Sequence, residues 1–353
     1  MALLDVDDLT VRYSTKDGAV IALDSVSLVV GENEFLAVVG ESGCGKSTLG
    51  LSTIGLLPPN SQVVNGSLRY KGTNLVKLDQ NVMRIYRGTE IAMIFQEPLT
   101  SLNPVYRVED QIAEAVALRK MRKESGKKIT GEIMQNVYST KAIHIPSRLP
   151  SMRRGLPREL RREVIQWLNL VRIPDPEQVL ERYPFELSGG MRQRVMIAMA
   201  LSEEPALLIA DEPTTALDVT TQAQVLKLMR ELMDKVNTSI ILVTHDLAVA
   251  SQVADRVVVM YAGGIVEDAE VHDLFSRPMH PYTQGLLNCI PKETKNDSSL
   301  SAIPGSVPDM MHLLVGCQFA PRCPHVTNRC SVNRPRLIAD QKNHEVACFL
   351  YDN

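Results

Sequence analysis

Eight consecutive residues, Gly40-Glu41-Ser42-Gly43-Cys44-Gly45-Lys46-Ser47, carry the spacing G-x-x-x-x-G-K-[ST]. They follow the strand-like apolar run Asn33–Val39 and open a helical pattern over Lys46–Leu57. In that frame the glycines let backbone N–H groups turn inward around phosphate oxygens, and the helix N-terminus adds partial positive charge. Lys46 would supply a point charge for the β- and γ-phosphates, and Ser47 a hydroxyl for Mg²⁺. A chance glycine turn is the plain alternative, and eight matching positions between a strand and a helix disfavour it. A second run, Ala206-Leu207-Leu208-Ile209-Ala210-Asp211-Glu212, ends an apolar strand in two carboxylates. Ligands of open α/β sheets bind at the carboxyl ends of strands. Asp211 is therefore placed to hold Mg²⁺ through its water shell, and Glu212 to polarise an attacking water. Alone, such a pair would read as a surface cap on a strand. Together with the phosphate loop it reads as a nucleotide hydrolase.

The elements that must position these residues follow from periodicity. Leu3–Arg12 and Ala19–Val30 are strand-like, and helical periodicity runs through Val108–Ala117 and Glu159–Leu170. From about 191 to 260 the pattern is helix–strand–helix–strand, with the continuous apolar runs of strands covered on both faces. Residues 263–353 are rich in Pro, Gly and Cys and read as an appended module. At 353 residues, 44% hydrophobic and 22% charged, the chain suits one large α/β domain with an appendage. A net charge of -3 gives no case for a dedicated nucleic-acid binder. No window approaches the roughly 18–20 apolar residues of a membrane span. Met1-Ala2-Leu3-Leu4-Asp5 lacks the basic start and apolar core of a secretory signal. The expectation is a protein that serves a membrane, if at all, from outside the lipid and in a reducing compartment.

Leu187-Ser188-Gly189-Gly190-Met191-Arg192-Gln193-Arg194 narrows the choice. Ser188 can cap a helix that starts at the glycine pair, leaving N–H groups outward as a second anion site. Capping alone is common, but the full string shortly before Asp211-Glu212 resembles the signature of the ABC (ATP-binding cassette) ATPases. Under that resemblance other family positions fall in order. Gln96, in Ile94-Phe95-Gln96-Glu97-Pro98, matches the glutamine that touches Mg²⁺ and relays nucleotide state to the transport channel. Asp218, in Ala216-Leu217-Asp218, matches the loop after the second carboxylate. His245 matches the switch histidine at the γ-phosphate, and Tyr13 the aromatic that stacks on adenine. Thr48 joins Gly40–Ser47 in the ATP set. A lone histidine ending a strand, or a lone tyrosine beside one, would otherwise be a cap or packing residue.

The resemblance implies an α/β P-loop NTPase cassette: a RecA-like core, an antiparallel β subdomain and a helical subdomain, with a small Cys-rich C-terminal extension. It places the cassette at 1–262, its helical subdomain at about 99–190 and the extension at 263–353. ATP would be sandwiched between two subunits, with the phosphate loop of one facing Ser188, Gly189 and Gly190 of the other. Catalysis is assigned to Glu212, His245 and Gln96, and the Mg²⁺ set to Ser47, Gln96 and Asp211.

The C-terminal strings Tyr261-Ala262-Gly263-Gly264, His280-Pro281-Tyr282-Thr283, Ile303-Pro304-Gly305 and Gly316-Cys317-Gln318-Phe319-Ala320-Pro321-Arg322-Cys323-Pro324 resemble the dipeptide/oligopeptide importer ATPases. That family implies a second, related ATPase subunit, two transmembrane permeases and an extracytoplasmic substrate-binding protein. The location implied is the cytoplasmic membrane face. Some members import oligosaccharides or nickel, and a soluble ABC ATPase of translation or DNA repair is the reading from another class. Those soluble proteins fuse two cassettes or insert a long coiled coil, and this chain has neither.

Cys317, Cys323, Cys330 and Cys348 are spaced C-x5-C-x6-C-x17-C, apart from Cys44 and Cys289. Four thiols suit Zn²⁺ or an iron–sulfur cluster, while zinc ribbons favour tighter pairs. The family resemblance favours [4Fe–4S], with Zn²⁺ or free thiols as alternatives. Such a centre is expected to fasten the extension without touching ATP chemistry. Finally, Arg119–Arg162 holds 13 Lys or Arg against three acidic residues, an insertion relative to compact family members. It reads as a solvated charged loop, or as a segment meeting anionic lipid or the permease.

Overall fold

Phe35–Val39 forms a strand buried along its whole length, and the chain is organised around where that strand leads. The computed structural model describes residues 2–96, 101–124, 156–215, 217–290, 303–340 and 343–352. Its Cα positions divide into two units, Met1–Lys77 with Ile241–Asn353, and Leu78–Ile240.

In the first unit, an antiparallel sheet runs in the order Gly18–Gly31, Ala2–Thr15, Ser61–Tyr70, Thr73–Asn74. Its first strand is longer than the expected Leu3–Arg12 and does not alternate strictly. Val6 and Leu9 are both buried because a bulge at Asp7–Asp8 shifts the register, with Asp8 at φ +49°. A second sheet sets Ile338–Ala339 against Glu345–Val346, then Gly264–Glu270, Arg256–Tyr261 and Phe35–Val39. Phe35–Val39 pairs in parallel with Arg256–Tyr261, as a strand covered on both faces does. The helix after it is Lys46–Thr53, shorter than the expected Lys46–Leu57. Gly55 turns the chain left-handed at φ +61°, and Pro58 and Pro59 follow.

The 262/263 boundary falls inside a hairpin, whose turn residues Ala262 and Gly263 have φ +47° and +83°. The polypeptide therefore enters the C-terminal region without leaving the sheet. Glu267, buried in the hairpin's second strand, accepts from the backbone N–H of Met279 (2.6 Å) and His280 (2.8 Å). The same carboxylate meets His344 Nε2 at 2.7 Å. His280 Nδ1 accepts from Tyr282 N at 3.0 Å and caps the helix Pro281–Asn288. One carboxylate thus fastens three segments of the extension.

The second unit pairs Ile91–Ile94 in parallel with Leu207–Asp211 and surrounds them with helices. Arg158–Leu170 buries Leu160, Val164, Trp167 and Leu168, an i, i+4, i+7, i+8 stripe. It packs on Val108–Glu124 and Gly189–Leu201. Val219–Val236 ends at Asn237, in the left-handed conformation at φ +55°. Most of the basic stretch 119–162 lies outside the described residues. At its described edge, Arg119 and Lys120 pair with Glu163, and Arg119 and Lys123 with Glu204.

Burial pushes the His280 imidazole down to about 4, against the opposing pull of Glu267. Its folded-state pKa lies below the unfolded value, so the stabilisation from keeping the ring neutral is present above about pH 6.5. It is lost as pH falls towards 4. His280→Asn keeps an acceptor for the helix cap and removes the titration. Between pH 7 and 4.5 the wild type should lose up to roughly 3 kcal/mol more stability than the variant in denaturant melts. Parallel pH curves would contradict this.

Candidate active site

The phosphate loop joins the buried strand Phe35–Val39 to the helix Lys46–Thr53. At two of its glycines there is no room for a side chain. A Cβ on Gly40 would run into the Met260 carbonyl, and one on Gly45, at φ +106°, into that of Ala22. Lys46 is buried, and its Nζ donates to the carbonyls of Gly40 (2.8 Å) and Glu41 (2.9 Å). Cys44 is buried beneath the loop, where burial raises its thiol pKa against the pull of Lys46. Ser42, Gly43 and Ser47 are exposed. The loop therefore turns backbone and small polar groups outward around a lysine held from within. Tyr13 Oη lies 3.3 Å from Thr48 Oγ1, which brings the expected adenine-side aromatic to the end of this loop. His245 is exposed at the end of the strand Ser239–Thr244, and Asp246 caps the helical turn after it.

In the second unit the fully buried strand Leu207–Asp211 delivers Asp211, itself only 5% exposed, and then Glu212. Glu212 stands at φ +45°, a region a non-glycine residue seldom occupies and one that recurs at functional sites. Its Oε2 accepts from Gln96 Nε2 (3.1 Å) and Thr215 Oγ1 (2.9 Å). Two expected site residues, 116 positions apart, are thus brought together. Thr215, which composition and spacing did not single out, helps to hold the carboxylate. Ser188 caps Gly189–Leu201 by accepting from Met191 N at 3.3 Å, with Gly189 exposed and Gly190 half-buried at the helix start. Asp218 caps Val219–Val236 by accepting from Thr221 N and Oγ1, and these bonds hold its carboxyl below the usual carboxylate range. Ala216, Glu97 and Pro98 lie outside the described residues. Ser47, Gln96 and Asp211 offer hydroxyl, amide and carboxylate oxygens, hard donors of the kind Mg²⁺ takes.

Cys317, Cys323, Cys330 and Cys348 all line one cavity of about 110 Å³. All four are free. The backbone draws them in: Cys317 N donates to Cys330 O at 2.8 Å, and Gly316 leaves no space for a Cβ against that carbonyl. Burial raises the Cys317 and Cys323 thiols and pushes Cys348 up to about 11, with the neighbouring sulfurs adding to each shift. Several thiolates there would need a cation to hold them. In kind and in shared cavity the thiols fit a soft metal centre. Among the described residues, however, no group of three or more His, Cys, Asp or Glu is set out to hold a metal ion. Beside this cavity the Cys-rich string meets the phosphate loop, where Arg322 forks onto the Glu41 carboxylate at 2.8 and 3.1 Å. An arginine 281 positions from its partner gives no sequence signal.

The family profile described as "ABC transporter" matches residues 23–215, and that described as "Oligopeptide/dipeptide transporter, C-terminal region" matches 266–330. The chain is 44% identical to the oligopeptide transport ATP-binding protein AppD of Bacillus subtilis, covering 99% of this chain and 97% of that one. It is 42% identical to the dipeptide transport ATP-binding protein DppD of Escherichia coli, covering 96% and 93%. Among solved structures it is similar to a dimeric ATP-binding cassette in a post-hydrolysis state bound to ADP and Pi. That match has a TM-score of 0.58 and 22% identity, and it covers 76% of this chain and 98% of the other. Another, cbiO1 from Clostridium perfringens, gives a TM-score of 0.57 at 24% identity, over 78% and 91%. These two likenesses speak to the fold.

The glycines of the loop are not equivalent. Gly43→Ala meets nothing within contact distance and pays only for a left-handed backbone at φ +80°, about 1 kcal/mol. Gly45→Ala adds a collision with the Ala22 carbonyl and should cost at least about 2–3 kcal/mol by thermal or denaturant unfolding. Equal losses at the two positions would mean that close packing does not shape the loop.

Proposed function

Because the chain belongs to the ATP-binding proteins of ABC transporters, with the oligopeptide/dipeptide-type C-terminal region, we propose that it hydrolyses ATP to energise uptake of dipeptides and oligopeptides. It works at the cytoplasmic face of the membrane as a peripheral subunit, and no described helix is long and apolar enough to cross a bilayer. The observation that carries this reading is the glycine-turned loop around a buried Lys46, in a chain whose C-terminal region is of the peptide-transporter type. A C-terminal region of the kind described for oligopeptide/dipeptide transporters favours this reading over a soluble ATPase of translation or DNA repair.

Each residue then has a task. Gly40–Thr48 receive the triphosphate, Lys46 countercharges the β- and γ-phosphates, and Tyr13 supports the adenine side. Ser47, Gln96 and Asp211 would hold Mg²⁺, whose charge would offset that gathering on the phosphate oxygens. Glu212 orients the attacking water and draws on its proton. Gln96, hydrogen-bonded to Glu212, relays nucleotide state to the transport channel. His245 serves the γ-phosphate. Ser188, Gly189 and Gly190 present a helix N-terminus to the ATP of a second subunit, and Asp218 lies in the loop serving the same interface. The full importer adds a related but distinct ATPase, two permeases and an extracytoplasmic binding protein.

Glu212→Gln should bind ATP but hydrolyse it at least ~100-fold more slowly, since the phosphate contacts remain while water activation is lost. Lys46→Ala should weaken ATP binding itself, because a phosphate countercharge is removed. Near wild-type turnover in the assembled importer with Glu212→Gln would remove that residue from its role.

For the four-thiol cavity we propose a [4Fe–4S] cluster, ahead of Zn²⁺, held by Cys317, Cys323, Cys330 and Cys348. It would supply a structural cross-link within the extension and no redox step. Anaerobically purified protein should carry about four iron and four sulfide per chain. Colourless protein with stoichiometric zinc would replace the cluster by a zinc site, and metal-free protein would leave neither.

A further inference from the structure

Glu41 occupies a place in the phosphate loop where a carboxylate should do harm. A triphosphate is strongly anionic, and a bare negative charge in the loop that receives it would oppose binding. The residue is held on every side instead. Its carbonyl accepts from Lys46 Nζ at 2.9 Å, so it is part of the cage around the lysine. Its backbone N–H donates to Tyr282 Oη at 2.9 Å, and its carboxylate is forked by Arg322.

Both of those partners come from the C-terminal region, and neither is incidental. The Arg322 side chain is only 5% exposed. Its Nε donates to Pro304 O at 2.9 Å, and its guanidinium lies 5.8 Å from the centre of the Tyr261 ring. Tyr282 is fully buried and tilts against Tyr261 with ring centres 4.6 Å apart. A bidentate arginine–carboxylate pair with a buried guanidinium and a half-buried carboxylate is geometrically specific and less screened than a surface pair.

We propose that Arg322 and Tyr282 are positioning residues of the ATP site, acting through Glu41: Arg322 cancels the loop's own negative charge, and Tyr282 fixes the backbone that cages Lys46. The C-terminal extension is then a working part of the nucleotide site. ATP affinity depends on it although it touches no phosphate. The proposal rests on the reading of Gly40–Thr48 as the ATP loop.

The test is equilibrium binding of Mg-ATP to the full-length chain. Arg322→Ala should raise Kd about tenfold by exposing the Glu41 charge to the phosphates, and Arg322→Lys, which keeps the charge but not the fork, should fall between. Adding Glu41→Gln to Arg322→Ala should recover most of the loss, because no charge is left to cancel. Raising the salt should narrow the gap between Arg322→Ala and wild type. Tyr282→Phe keeps the ring packing and should raise Kd about two- to fivefold through one lost hydrogen bond. A merely structural role would give neither recovery by Glu41→Gln nor salt dependence, and either failure overturns the charge assignment. If wild type binds ATP, Lys46→Ala does not, and both Arg322→Ala and Tyr282→Phe stay within twofold of wild type, the proposal is wrong and the ATP loop stands. If wild type fails to bind, or Lys46→Ala binds equally well, the reading of the loop falls and this proposal falls with it.

Discussion

A buried lysine ammonium is the constraint on which the rest depends. At 5% exposure Lys46 has little water around it, and its charge is tolerable only because backbone oxygens replace that water. Those oxygens, of Gly40 and Glu41, belong to the chain five and six residues before it. Bringing them back over the lysine demands a loop that reverses within one turn's length, and that demand explains the glycines. Gly40 and Gly45 pass so close to the Met260 and Ala22 carbonyls that no Cβ fits. The loop in turn needs a rigid origin, supplied by the wholly buried Phe35–Val39 and its parallel neighbour Arg256–Tyr261.

The same constraint reaches into the C-terminal region. Glu41 gives one of the two oxygens, and its other groups are held by Tyr282 and Arg322. These are kept in place by the aromatic cluster with Tyr261 and Phe319 and by the buried Glu267, which gathers residues 279, 280 and 344. Hydrogen bonds that are buried and mutually supported resist removal one at a time. The extension therefore sits on the cassette's own sheet through Glu345–Val346, and its Cys-rich string leads directly into the residue that clasps the loop.

The sequence made the chemistry more legible than the geometry. The loop Gly40–Ser47, the acidic strand end at Asp211-Glu212 and the cap at Ser188 depend on local spacing, and each is built as its spacing requires. Departures arise where the deciding partner is remote or the backbone irregular. The bulge at Asp8 breaks the alternation that bounds a strand, and Gly55 ends a helix four residues before its apolar pattern does. The hydrogen bond from Gln96 to Glu212 and the clasp of Glu41 by Arg322 join residues 116 and 281 positions apart. No periodicity records such pairs. The four cysteines were visible as a set, and the fold places all of them around one cavity, but spacing alone does not choose their occupant.

Whether ATP spent at this loop drives peptide uptake is decided in proteoliposomes that hold this chain with the second ATPase and the permeases proposed for it. The measurement is ATP hydrolysis on adding the binding protein, empty or loaded with a short peptide. The account requires a rise in hydrolysis with the peptide-loaded form, accompanied by peptide in the lumen. Hydrolysis indifferent to peptide, or stimulated only when the binding protein carries an oligosaccharide or nickel, would contradict it.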